Sequence, residues 1–272
     1  MSDTTLPLLL EPAQLREQLG RNDLLILDAS SADNYARHHV PGAIHIAPQL
    51  LQCGIPPAPG KLPSQEQLTT LFTRVGLSTD KHVVAYDDEG GGWAGRLLWT
   101  LDVLGHSRYS YLNGGLHAWV NEGYPLETAA NNGRPSQFSA QIDETPSASL
   151  EQIRAHLGDP HWLIWDARSA DEYAGRRVAA ARGGHIPGAV NLDWLELMDR
   201  SRNLRLLPLA ILQQRLNQLG ITPDKHIVTH CQTHHRSGLT YLAMKILGYP
   251  SIQAYDGSWS EWGNRNDTPV ER

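Results

Sequence analysis

The stretch from His226 to Pro250, HIVTHCQTHHRSGLTYLAMKILGYP, decides how this chain is read. Ile227 to His230 is a short, β-branched run of strand length, and SGLTYLAMKILG sets Leu239, Leu242, Ala243 and Ile246 at helical spacing. The residues from Cys231 to Arg236 make the turn between them. In a parallel α/β sheet such a turn lies at the carboxyl end of the strand, where the unpaired N–H groups opening the next helix draw anions. A cysteine there meets the helix dipole, several backbone N–H groups and Arg236, all of which favour thiolate over thiol. Cys231 is therefore expected to be a nucleophile at neutral pH, with His234 and His235 able to add charge or hydrogen bonds.

Other readings of the same residues compete. Free cysteines are among the most buried residue types, but the polar neighbours of Cys231 argue against a purely packed side chain. His230, Cys231, His234 and His235 are all zinc-ligand types, yet structural zinc takes four ligands in spaced pairs and adjacent histidines rarely reach one ion, so no metal is expected. Cysteine phosphatases use a C-x5-R loop. The C-x4-R spacing here is one residue tighter and suits a terminal sulfur better than a phosphoryl group.

The chain contains this plan twice. GLSTDKHVVAYDDEGGGWAGRLLWTLDVLG from Gly76 aligns with the segment from Gly220 at a constant offset of 144, which sets Asp87 opposite Cys231. LLILDASSADNYARHHVPGAIHI from Leu24 aligns with WLIWDARSADEYAGRRVAAARGGHIPGAVNL from Trp162, with eight residues inserted before the second HIPGA. NGGLHAWVNEGYPLE from Asn113 echoes YDGSWSEWGNRNDTPVE from Tyr255. Repetition on this scale means two homologous domains. In each, apolar runs (Leu24 to Leu27 and His82 to Tyr86, then Trp162 to Trp165 and Ile227 to Thr229) alternate with helical patterns, which predicts an α/β fold with a mainly parallel sheet flanked by helices. The polar TAANNGRPSQ, Thr128 to Gln137, reads as connecting chain. The expected division is a first domain over 1–127, a linker over 128–146 and a second domain over 147–272. Ser64 and Gln67 form a capping box ahead of Leu68, Leu71, Phe72 and Val75, and Gly76 ends that helix. Leu209, Leu212, Leu216 and Leu219 define one face of its counterpart, with Gly220 past its end.

Composition narrows the partners. A net charge of −6 over 272 residues gives no basic surface for nucleic acid or acidic membranes. No apolar run approaches the ~18 residues of a membrane span, and the short run Leu6 to Leu10 lacks the flanks of a signal peptide. Two cysteines are too few for a secreted disulfide framework. A cytoplasmic protein is expected.

The repeat, LILDAS and LIWDARS, VPGAIHI and HIPGAVNL, the Cys231 to Arg236 loop and the closing YDGSWSEWG together resemble the tandem-domain rhodaneses, the thiosulfate/3-mercaptopyruvate sulfurtransferases. The resemblance covers nearly the whole chain. It implies two rhodanese-like domains, a persulfide on Cys231, a cradle of N–H groups from Gln232, Thr233, His234, His235, Arg236 and Ser237, and Arg236 as an anion-binding group. Arg182 is the first choice for a second donor-binding arginine, Arg177 a weaker one, and Arg176 reads as a solvated surface residue. Trp93 is expected to line the pocket from the first domain. Asp87 cannot carry sulfur; its carboxylate is expected to take the loop N–H groups itself, leaving the first domain inert and covering one side of the pocket.

Asp28 and Asp166 end matching strands in both halves and read as structural. His39 and His185 read as turn-stabilising, and Cys53 as an unreactive loop residue. The implied partners are a small-molecule sulfur donor and a thiophilic acceptor, with no cofactor, and the chain is expected to be a monomer. Arg236 and the two loop histidines favour thiosulfate, with 3-mercaptopyruvate, a phosphatase and a non-catalytic persulfide carrier left as alternatives.

Overall fold

The computed structural model describes residues 6–272. The first half runs β1 (Leu9–Leu10), α1 (Pro12–Gln18), β2 (Leu24–Asp28), α2 (Ala32–Arg37), β3 (Ile44–His45), α3 (Gln65–Val75), β4 (His82–Tyr86), α4 (Gly92–Val103), β5 (Tyr109–Leu112) and α5 (Gly115–Asn121). The second runs α6 (Leu150–Ala155), β6 (Trp162–Asp166), α7 (Ala170–Tyr173), β7 (Val190–Asn191), β8 (Met198–Asp199), β9 (Arg205–Leu206), α8 (Leu209–Gln218), β10 (His226–His230), α9 (Arg236–Ile246), β11 (Ile252–Ala254) and α10 (Ser258–Trp262). The two main sheets, ordered β1-β5-β4-β2-β3 and β11-β10-β6-β7, are parallel throughout. β4 and β10 each lie between two neighbours, so Asp87 and Cys231 leave the sheets from central strands. β4 is buried at every position, as a strand with helices over both faces must be.

Local chemistry explains the element ends. Ser64 accepts from the Gln67 N–H while the Gln67 side chain reaches back, and the same box closes Ser149 with Gln152 and Ser169 with Glu172. Gly76 ends α3 in the left-handed region at φ 85°. On α8 the expected face is only partly buried: Leu212 and Leu216 are in the core, Leu219 is half-buried, and Leu209, the first residue of the helix, stays 38% exposed.

Residues 128–146 hold neither helix nor strand. Without internal pairing their backbone groups take partners on the first domain: Ser136 N–H donates to the Thr73 carbonyl and Ala140 N–H to Thr69 Oγ1.

The sequence pattern gives α9 one inward face, but Ser237 to Met244 are buried all round. The cause is α4 of the first domain, which packs directly on α9. Gly95 and Gly238 mark the crossing, where a Cβ on either would overlap backbone of the other helix. Further along, Asp102 of α4 accepts from Tyr241 Oη (2.9 Å) and Lys245 Nζ (2.5 Å) of α9 and from Tyr109 Oη (2.6 Å). The loop that precedes α9 is thereby fixed against the first domain. Among the described residues no helix is long and apolar enough to cross a membrane.

Candidate active site

Cys231 follows β10 and is fully buried. The closing segment holds the base of its loop: Trp259 N–H donates to the Cys231 carbonyl and Ser260 N–H to the Gln232 carbonyl, both at 3.0 Å. Burial pushes the thiol up, but the Arg236 charge, the N–H and hydroxyl of Ser237 and His235 outweigh it and bring the thiol below its ordinary value. The downward shift thus comes chiefly from the first residues of α9.

Arg236 is not free to receive an anion unaided. Its Nη1 and Nη2 donate to Glu172 Oε2 (2.7 Å) and Oε1 (2.9 Å), and the two side chains are 19% and 6% exposed. This bidentate pair holds the Glu172 carboxyl down to about 2 against the effect of burial, and raises the guanidinium. Sequence reading missed Glu172. Its only signal was the capping box in SADEY, whose counterpart SADNY has Asn34 instead.

The other loop residues divide. The His235 ring stacks on Trp93 (4.2 Å between centroids), tilts against Trp194 (5.7 Å) and is bonded to Glu89 of the first domain. Trp93 is thus brought to the loop from across the interface. His234 turns the other way: at φ 53° its ring is buried against Trp99, and Nδ1 meets Ser237 Oγ at 2.7 Å. Burial, with the nearby Arg96 charge, holds it well below the usual histidine range and hence neutral. The Thr233 carbonyl accepts from Gln52 Nε2 of the first domain, and Gln232 Nε2 donates to Ala179 O in the inserted segment.

Arg182 is not brought to Cys231 by its hydrogen bonds. Its guanidinium donates to Trp262 O, Thr268 O and Thr268 Oγ1 and so ties the insertion to the chain's last residues. Arg176 pairs with Asp171 on the surface, and Arg177 is exposed. His39 and His185 occupy matching places: each ring stacks on a tyrosine (Tyr35, Tyr173) and bonds that tyrosine's carbonyl. Asp166 holds Arg168 within the core, and Cys53 Sγ faces the carbonyls of Ala58 and Pro59.

The first domain's loop has the same course with different chemistry. Asp87 Oδ1 accepts from the N–H groups of Glu89 (3.1 Å), Gly90 (3.1 Å) and Gly91 (2.8 Å), and Oδ2 from Ala94 (2.9 Å). An anion on this residue therefore gathers the loop donors, as expected of a self-capped site. Burial and the Glu89 charge still push the Asp87 carboxyl up to about 6. A cleft of about 290 Å³ lined by residues including Ser31, His45, Asp88, Glu89 and Trp93 opens beside this loop, and a wider one of about 820 Å³ runs past Cys53 and Arg74, away from Cys231.

The model of the rhodanese-like domain matches this chain twice, over residues 11–122 and 149–265. The chain is 54% identical to the thiosulfate sulfurtransferase of Azotobacter vinelandii, over 98% of each protein. It is 50% identical to that of Pseudomonas aeruginosa, over 98% of this chain and 97% of the relative. Identity to the 3-mercaptopyruvate sulfurtransferase of Escherichia coli K12 is 31%, over 90% and 87%. Among solved structures, the anaerobic ergothioneine biosynthesis enzyme of Chlorobium limicola superposes with a TM-score of 0.87 at 20% identity, covering 97% of this chain and 70% of that one.

Proposed function

Because the chain belongs to the rhodanese-like family, we propose that it is a thiosulfate sulfurtransferase whose Cys231 carries the transferred sulfur as a persulfide. The observation that carries this reading is the Cys231 loop, in which a thiol brought below its ordinary value by Arg236 and Ser237 stands where the first domain holds an anion on several N–H groups. The relatives at 54% and 50% identity, named thiosulfate sulfurtransferases, favour thiosulfate as donor.

The thiolate of Cys231 attacks the outer sulfur of thiosulfate. A new S–S bond forms, the donor's S–S bond breaks, and its electron pair leaves with sulfite. Cyanide or another thiophilic acceptor then attacks the outer persulfide sulfur, and the pair returns to Cys231 as thiolate. No oxidant or reductant is consumed, and the two half-reactions predict ping-pong kinetics. Arg236 draws the donor anion with a charge shared with Glu172, the N–H groups from Gln232 to Ser237 cradle the outer sulfur, and His235 with Trp93 forms a wall of the pocket. Asp87 leaves the first domain without a sulfur carrier. A reducing cytoplasm suits a free thiol of this kind, and a monomer suffices because the first domain's Glu89 and Trp93 reach the Cys231 loop within one chain.

Intact mass measured before and after thiosulfate, and again after cyanide with thiocyanate assayed, tests the reading. A gain of one sulfur atom that cyanide removes as thiocyanate, and that Cys231→Ala lacks, is expected. A gain with 3-mercaptopyruvate but none with thiosulfate would change the donor, and no gain with either would refute the mechanism.

A further inference from the structure

Arg236 is the cation that lowers the Cys231 thiol, yet it is held face to face with a carboxylate that is 6% exposed. Glu172 is itself fixed from the other side, since its Oε2 accepts from the Ser169 N–H (3.2 Å) and Oγ (2.9 Å). The first domain carries a comparable tether in which the helix residue is neutral and the carboxylate lies on the loop. Asn34, at the matching position of α2, donates through Nδ2 to Asp88, the counterpart of Gln232. Both domains therefore tie the loop to the start of this helix, but only in the second does the tie place an anion on the loop's cation.

The surroundings leave that anion uncompensated by anything else. Asp166 is paired with Arg168 at 2.6 Å, and His230, 3.7 Å from Asp166, is pushed down by burial. Asp193, beside Arg236 and Glu172, is raised by burial. His235 is bonded to Glu89, and His234 is buried and neutral. Arg96, behind the loop, donates to the Leu51 carbonyl and feels the charges of both Asp256 and Cys231. Arg236 is the leading cation on Cys231, ahead of His235 and with the buried Arg96 behind the loop, so the balance within the Arg236–Glu172 pair has the largest single influence on the charge a dianionic donor meets there.

We propose that Glu172 is a positioning and specificity-determining residue for sulfur transfer: it locks Arg236 beside Cys231 and tempers the positive field that the anionic donor encounters. This rests on the sulfurtransferase reading above. Removing its charge while keeping its shape leaves Arg236 with its full charge, so thiolate formation becomes easier and the donor binds more tightly. A carboxylate that served only to hold the fold would give neither gain.

The test is Glu172→Gln in the full chain, with thermal melting to check the fold. Two readouts are taken. One is the pH profile of Cys231 labelling by iodoacetamide, resolved by peptide mass from Cys53. The other is the steady-state KM and kcat for thiosulfate. The labelling midpoint is expected to move to lower pH, so that the rate at pH 6 rises roughly threefold relative to its plateau, and KM is expected to fall roughly threefold. An unmoved or upward-shifted midpoint with unchanged or raised KM in a folded variant would overturn the proposal. Should Glu172→Gln not fold, Glu172→Asn, the residue type that the first domain holds at this place, takes the same measurements. A wild-type protein that takes no sulfur from thiosulfate would refute the proposed function, while the labelling midpoint would still decide whether Glu172 restrains Arg236.

Discussion

Replacing Asp87 by alanine separates what the first domain's loop does for stability from what it does for turnover. The carboxylate accepts four N–H bonds of 2.8 to 3.1 Å, and the donors of Gly90, Gly91 and Ala94 belong to buried residues. Each orphaned donor costs about 1–3 kcal/mol, although water entering the space left by the side chain recovers part. Against this stand the burial of the charge and the neighbouring Glu89, which outweigh those bonds and move Asp87 from 3.8 to about 6. Those two pH units correspond to about 3 kcal/mol. The folded-state value lies above the unfolded one, so this contribution is fully present below pH 3.8 and lost as pH rises through about 6. Asp87→Ala should therefore lose about 2–3 kcal/mol at pH 7 and up to about 3 kcal/mol more at pH 4, measured by urea unfolding against wild type at both. Its kcat with thiosulfate and cyanide should stay within about threefold of wild type, because the loop's side chains that meet the Cys231 loop, Glu89 and Trp93, are kept. Equal losses at the two pH values would refute the buried-carboxylate argument, and a folded variant unable to form a persulfide would show that the first domain is not inert.

Arg236→Ala should raise the thiosulfate KM severalfold and move Cys231 labelling to higher pH, because it removes the countercharge and strands Glu172; an unchanged KM would take Arg236 out of the site. Arg182→Ala should cost about 1–3 kcal/mol of stability through its lost bonds to Trp262 and Thr268, with KM unaltered, and a raised KM would return Arg182 to the donor site. Gly238→Ala should cost at least about 2 kcal/mol in urea unfolding, since a Cβ would run into the backbone of α4 where neither helix can give, and a neutral effect would contradict the packing of α4 on α9.

The parts legible in the sequence are those governed by short-range chemistry or by the repeat. The offset of 144 alone matches Asp87 with Cys231, and Ser64 with Gln67 marks the start of a helix because a cap involves neighbours three residues apart. Long side chains are a different matter. Arg182 and Arg236 look alike as candidates, yet one meets Thr268, 86 residues onward, and the other Glu172, 64 residues back. No local pattern distinguishes them. His234 and His235 are adjacent, but the positive φ of His234 sends its ring into the core while its neighbour faces Trp93. The double burial of α9 had a signal in the small and apolar residues around Gly95 and Gly238, which become meaningful only once one helix is laid on the other.

The docking of the two halves also bears on why one loop sets a cation beside a cysteine and the other a glycine beside an aspartate. After the short 3₁₀ helix Pro48–Leu51 the first domain sends its chain over the second, where Gln52 bonds Thr233 (2.9 Å), Leu62 N–H donates to Asp256 (2.8 Å) and Lys61 pairs with Glu261 (2.9 Å). After Trp194–Leu197 the second domain answers with the β8–β9 hairpin, where Leu206 N–H donates to Asn113 (2.9 Å) and Arg205 pairs with Glu11 (2.9 Å) and Glu122 (2.5 Å). The exchange is nearly symmetric, but its effect on the loops is not. Met198 of the hairpin fills the space that a side chain at Gly90 would need. At Gly92, the position of Arg236, a Cβ would come within 2.6 Å of Glu89 Oε1 and 2.8 Å of His235 Nε2. The first loop therefore lacks the cation that lowers a thiol, and a cysteine at 87 would have the loop's N–H groups but no guanidinium to set against burial, which raises it. An aspartate there takes up the loop's N–H groups instead, and Glu89, one of the two side chains that crowd Gly92, is the residue through which the first domain holds the other, His235 of the second loop.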